Sequence, residues 1–174
     1  MYKRQRVDSH VAIGATYVTD LGDTAVTLGG GISQVDGSLS GVAPTNDTNG
    51  YHVGLSAVTG DLTVAVGYAD GDKVGVGLTS ANEITGDVTK VGVKYVTGDL
   101  TFNVGMTSAD ATDNTLGSSG GSGDAKDVTS ASVSYAVASG VTAILGYTSL
   151  EASDEGSTSV DDGSAWYIGA NMSF

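Results

Sequence analysis

The sequence predicts an all-β protein: an antiparallel up-and-down transmembrane β-barrel, present as a partial barrel of about nine strands. Three observations carry this. Apolar residues recur at every second position from Ser9 onward, which is the strand period. The connections alternate between short turns and long segments, the asymmetry of a membrane barrel. The acidic residues avoid the apolar positions, as a face turned to lipid requires, since a charge at the bilayer midplane costs about 2–4 kcal/mol for Arg or Lys and less for Asp or Glu.

Composition agrees. With Gly 27, Pro 1, 40% hydrophobic and 16% charged residues, the chain is too apolar for disorder. It is also too rich in Gly, Thr, Ser and Val for a helical fold. A formal charge of −13, from 7 Lys+Arg against 20 Asp+Glu, sets nucleic acid aside as a partner, because phosphate binding rests on Lys and Arg. The absence of cysteine excludes disulfides and thiolate metal sites. No run of about 18 apolar residues exists to cross a bilayer as a helix. Only a barrel is then able to span one.

The chain divides at residue 8. Residues 1–8 look non-native or disordered: MYKRQR holds Lys3, Arg4 and Arg6, three of the seven basic residues, and lacks the apolar stretch of a secretory signal peptide. Residues 9–174 read as the barrel domain. Its apolar face runs Val11, Ile13, Ala15, Tyr17; Val26, Leu28, Gly30, Ile32; Tyr51, Val53, Leu55, Ala57; and Leu62, Val64, Val66, Tyr68. It continues through Val91, Val93, Tyr95; Leu100, Phe102, Val104, Met106; Val133, Tyr135, Val137; Val141, Ala143, Leu145, Tyr147; and Trp166, Ile168, Ala170, Met172, Phe174. The other face is small or polar, with Val18, Val58 and Ile144 as exceptions.

Short turns fall at 20–22, 59–61, 97–99 and 138–140, where Gly and Asp favour tight reversal. Long segments are expected at 36–49, 70–87, 109–127 and 151–163, and 15 of the 20 acids fall within them. The turn and strand VTGDLTVAVGY (58–68) returns as VTGDLTFNVGM (96–106) and, more loosely, as VASGVTAILGY (137–147), a repeat of hairpins rather than a solenoid motif. KVGVGLT (73–79) reads as an extended segment of the second long connection, with a tenth strand as the alternative. Aromatic residues sort into two bands on the apolar face: Tyr51, Tyr68, Tyr147 and Trp166 near the long connections, and Tyr17, Tyr95, Tyr135 and Phe174 near the short turns. Two bands are what interfacial girdles produce. A soluble β-sandwich shares the alternation but not this sorting.

The last strand, Trp166, Ile168, Ala170, Met172 and Phe174 at alternate positions, resembles the C-terminal strand of Gram-negative outer-membrane porins, the alphaproteobacterial general diffusion type in particular. Ala170 and Met172 depart from the family's larger or aromatic residues there. The resemblance covers residues 9–174. It implies an outer-membrane location, a water-filled channel for passive diffusion of small hydrophilic solutes and ions, no enzymatic activity, a homotrimer, and contact with the lipid bilayer and lipopolysaccharide. It also implies that the terminal motif is read by the barrel-insertion machinery. Counting back from Phe174 at the periplasmic end, the first strand runs inward rather than outward, so the chain is expected to be the last nine strands of a sixteen-stranded porin.

Among candidate site residues, Lys90 and Lys94 place two cations on one strand's polar face, with His52 and Asn103 as further pore-lining candidates. Charges lining a pore set its selectivity. The acidic segments at the mouth lead to an expected preference for cations. No catalytic set emerges: His10 and His52 lack a patterned nucleophile, and GSSGG (117–121) sits in a Gly/Ser loop without the strand-to-helix elbow of a nucleophile motif. No cofactor or metal site is expected beyond weak Ca²⁺ or Mg²⁺ binding by acidic loops. An alternative function is an outer-membrane anchor or adhesin that binds through its acidic, Ser/Gly-rich loops.

Overall fold

The computed structural model describes residues 5–39, 48–74, 83–113, 122–154 and 160–173. They form one nine-stranded antiparallel sheet in sequence order: β1 (Gln5–Leu21), β2 (Thr24–Leu39), β3 (Thr48–Thr59), β4 (Leu62–Val74), β5 (Glu83–Thr97), β6 (Leu100–Asp113), β7 (Ser122–Ala138), β8 (Val141–Asp154) and β9 (Val160–Met172). Each strand pairs only with its neighbours in the chain. β1 and β9 are the two open edges, and both run from the long-connection end toward the short-turn end.

The short turns are built by glycine. Gly22, Gly60 and Gly98 have φ of 65°, 55° and 56°, and each is followed by an Asp with ordinary φ. Positive φ at the first of two loop residues is the II′ hairpin geometry, whose twist matches that of the flanking strands. The fourth turn differs, with Gly140 (φ 76°) in second place and an irregular register between Ala136 and Ala138. Three turns are also tied to the following hairpin: the backbone N–H groups of Val96, Ala136 and Ser173 donate to the carbonyls of Asp61, Asp99 and Gly140.

The register keeps apolar residues beside apolar residues. Ile13 opposes Ile32, Leu55 opposes Val66, Val66 opposes Val91, Val91 opposes Met106, and Leu145 opposes Ile168. Among the described residues no large side chain is fully buried, and no second layer covers this face: Ile168 is 86% exposed and Trp166 73%. A sandwich would bury these side chains between two sheets. A wall whose apolar face meets lipid leaves them exposed to whatever surrounds it.

Two expectations change. Strands reach well into the segments read as long connections; β4 continues through Asp70 and Asp72 to Val74, and β5 begins at Glu83. Lys73 and Val74 therefore close β4, while the rest of 73–79 lies outside the described residues, as do GSSGG (117–121) and Phe174. At the other end, β1 begins at Gln5, inside the segment expected to precede the barrel domain.

Candidate functional site

The strand extensions put many acids on the sheet. Ladder pairing keeps directly opposed residues on one face, and residues two apart along a strand share it. Asp70 therefore shares the face of Tyr68, and the Tyr68 hydroxyl donates to Asp70 Oδ2 at 3.3 Å. Asp87 opposes Asp70, and Asp110 opposes Asp87. Glu151 opposes both Asp127 and Asp162. Together with Asp36 and Asp72, these eight acids extend the apolar face beyond its aromatic band, toward the long connections. The expectation that no acid shares that face is thus corrected: the acids leave the apolar stretch clean but sit on the same side, above it.

At the apex of β1 and β2, Ser9 Oγ donates to Asp36, which also accepts from Gln34 Nε2 at 3.2 Å. A concavity of about 390 Å³ below them joins Val11, Ile13, Ile32 and Tyr51 to Asp70 and Asp72. Apolar floor and acidic rim meet there on one face.

Aromatic residues of the apolar face meet across strands. Tyr147 and Trp166 are direct cross-strand partners with ring centroids 4.8 Å apart, and Tyr51 and Tyr68 are diagonal neighbours at 6.0 Å. Such tilted pairs are worth about 0.5–1.5 kcal/mol beyond area burial. In the other band Tyr95 opposes Phe102, and Leu100 opposes Tyr135.

The second face carries the predicted polar residues. Lys90 opposes Gly67 on one side and Thr107 on the other; Lys94 opposes Thr63 and Asn103. Asn103 Nδ2 donates to Ser132 Oγ at 3.4 Å, and Ser130 Oγ donates to the Gly105 carbonyl. His52 opposes Gly31 and lies over it, its Cε1 2.8 Å from where a Cβ on Gly31 would stand. His52 and Lys90 line a single concavity of about 650 Å³ with Thr16, Gly29, Gly54 and Gly67. Lys94 and Asn103 sit two rungs below, toward the short turns. His10, on the same face of β1, is exposed and remote from this group. Val18, Val58 and Ile144 interrupt the polar face near the short turns.

Sequence reading missed Lys126, which was assigned to a loop. It stands on β7 opposite Ala109 and Ala152, on the polar face. Counting back in twos from Ser134 through Ser132, Ser130 and Val128 reaches it, and that period was the available signal. Among the described residues no three His, Asp or Glu side chains come together as metal ligands.

The geometry defines a class: an up-and-down antiparallel wall with one apolar and one polar side, the fold of an outer-membrane β-barrel. The comparisons with solved structures agree. The chain is similar to outer-membrane-expressed OmpT of Vibrio cholerae, with a TM-score of 0.65 and 18% identity over 94% of this chain and 56% of that one. It is also similar to in-vitro folded OmpT of the same organism (TM-score 0.64, 17%, covering 94% and 55%) and to that protein's trimer form (0.60, 16%, covering 94% and 56%). The chain thus spans about half the length of these structures. No protein-family model matches the sequence, and no curated protein matches it.

Proposed function

We propose that this chain forms part of the wall of an outer-membrane porin, a water-filled passive channel for small hydrophilic solutes and ions. One observation carries the reading. Among the described residues the face opposite the apolar one bears mainly Gly, Ala, Ser, Thr and Val with a few cations, and its larger uncharged side chains, His10, His52, Ile144, Leu150 and Tyr167, are scattered over β1, β3, β8 and β9. A lumen so lined stays wet. An anchor or adhesin with a plugged interior would carry larger, interlocking residues inward.

The open edges bear on how the channel closes. Because β1 and β9 run the same way, joining them to each other, or β9 of one copy to β1 of the next, would make a parallel seam. Bacterial single-chain barrels are antiparallel throughout and even in strand number, so an odd number of further strands completes this wall. The general-porin resemblance supplies seven. The same reading places the protein in the outer membrane against lipid and lipopolysaccharide, inserted through its last strand. The trimer form of the similar Vibrio structure supports a homotrimer here.

Planar-bilayer recording on the protein purified from outer membranes tests the proposal. Stepwise, ohmic conductance is expected; intact membrane insertion with no conductance would rule the channel out.

A further inference from the structure

We infer that the polar face of β1 to β5 holds a docking trough for an acidic sugar, a hydroxylated solute with one carboxylate; the inference rests on the channel reading above. A single rung of the ladder carries it. Thr16 opposes Gly29, Gly29 opposes Gly54, Gly54 opposes Gly67, and Gly67 opposes Lys90. Three adjacent glycines thus separate a hydroxyl from an ammonium along one line across the strands, four strand spacings or roughly 19 Å from backbone to backbone. These five residues, with His52, line the concavity of about 650 Å³ on the polar face.

The backbone does not require glycine on this floor. None of the three has a positive φ. A Cβ would stand 3.6 Å from Thr16 Oγ1 on Gly29, 3.6 Å from the Val66 carbonyl on Gly54 and 3.8 Å from the Val53 carbonyl on Gly67, all ordinary contacts. Glycine weakens a strand interior, and there it often marks a place that a ligand or another backbone approaches closely. Gly31, one rung nearer the long connections, differs: a Cβ on it would strike His52 Cε1 at 2.8 Å and the Ile13 carbonyl at 3.0 Å. The imidazole therefore leans over β2, and no atom of it comes within 4 Å of a Cβ built on Gly29, Gly54 or Gly67. His52 banks the trough and leaves its floor open.

The groups around the floor define the solute. Thr16, His52 and Lys90 are exposed, and among the described residues none of them has a hydrogen-bonding or ionic partner. One ammonium at one end matches one carboxylate, held by a charge-assisted hydrogen bond. Along the rest of the trough the hydroxyls of Thr16, Thr27 and Ser56 and the His52 ring offer donors and acceptors to a solute's own hydroxyls. Every Tyr of β1 to β5 stands on the apolar face, so the floor presents peptide groups and no phenol ring for stacking. Asp113, Asp124, Asp154 and Asp161 hold polar-face positions too, but at the long-connection end of β6 to β9, and no acid lines the trough. Docking here is a matter of these local contacts and does not need a lumen of either net sign.

Current recordings in KCl on the assembled protein in planar bilayers, with glucuronate or glucose added, test this. Glucuronate is expected to interrupt the current with saturation, and glucose, the same ring without the carboxylate, should need a concentration at least about tenfold higher. K90Q should raise the half-blocking concentration of glucuronate by about tenfold, while K90R, which keeps the charge, should hold it near the parent's. G54V/G67V fills the floor with residues that suit a strand and should abolish saturable block. Stepwise conductance in KCl shows that a variant has folded and inserted, and K90Q alone decides where G54V/G67V does not. Absence of glucuronate block, equal block by glucose, or block unaltered by K90Q would overturn the trough and leave the channel standing. Absence of any conductance in the parent would remove the channel reading and this inference together.

Discussion

The ring of Tyr167 lies across Gly146, its direct partner on the adjacent strand, and fills the space a side chain there would need. Gly146 is the one buried position among the described residues, although β9 is an open edge. An aromatic residue covering a cross-strand glycine restores the packing that the glycine lacks and helps hold the register. Gly146→Ala should therefore force the Tyr167 ring off its site. Overpacking of this kind costs about 1–3 kcal/mol. Denaturant unfolding in detergent micelles checks it, and the double variant Gly146→Ala/Tyr167→Ala should recover part of the loss. Equal stability of the single variant and the parent would mean that the ring contributes nothing.

Glycines in turns and glycines in strands should respond oppositely to a methyl group. Gly60 has φ of 55°, where an L-residue is strained by about 1–2 kcal/mol, so Gly60→Ala should destabilise the β3–β4 hairpin. Gly67, with ordinary backbone angles and room for a Cβ, should gain about 0.5 kcal/mol as alanine, because the unfolded chain loses freedom. Refolding yields and unfolding midpoints in lipid vesicles distinguish the two. A parallel change in both variants would contradict the turn assignment.

Trp166 is the single tryptophan, 73% exposed in the sheet and paired with Tyr147. In a bilayer it should sit at the interfacial level. Its emission should shift to the blue on insertion, and lipids brominated near the headgroup should quench it more than lipids brominated near the chain ends. Stronger quenching from the bilayer centre would displace the upper aromatic band from the interface.

The strand count, the order of the hairpins and the positions of the short turns were legible because each rests on a local signal, period two or a Gly-Asp pair. Strand length was not. Above the aromatic band the outward positions change from apolar to acidic, as at Asp70, Asp87 and Asp110, so the hydrophobic alternation fades while the backbone ladder continues unaffected by side-chain polarity. The reading of those stretches as loops hid Lys126 and left the acids off the sheet. The cover that His52 gives Gly31, and Tyr167 gives Gly146, was equally illegible, since each pair is defined by register across a hairpin and not by spacing within one strand.

The aromatic band also measures how the wall leans. Following directly opposed residues from Trp166 through Tyr147, Ala131, Val104, Val93 and Val64 leads to Ala57, six residues along β3 from Tyr51. If Tyr51 and Trp166 mark one water boundary, the stagger is one residue per strand, and a rise of about 3.3 Å against a spacing of about 4.8 Å corresponds to a tilt of roughly 35°. Levelled that way, Lys90, Lys94 and Lys126 do not stand at one height: Lys94 lies lowest, Lys90 above it and Lys126 highest, a staircase along the polar face.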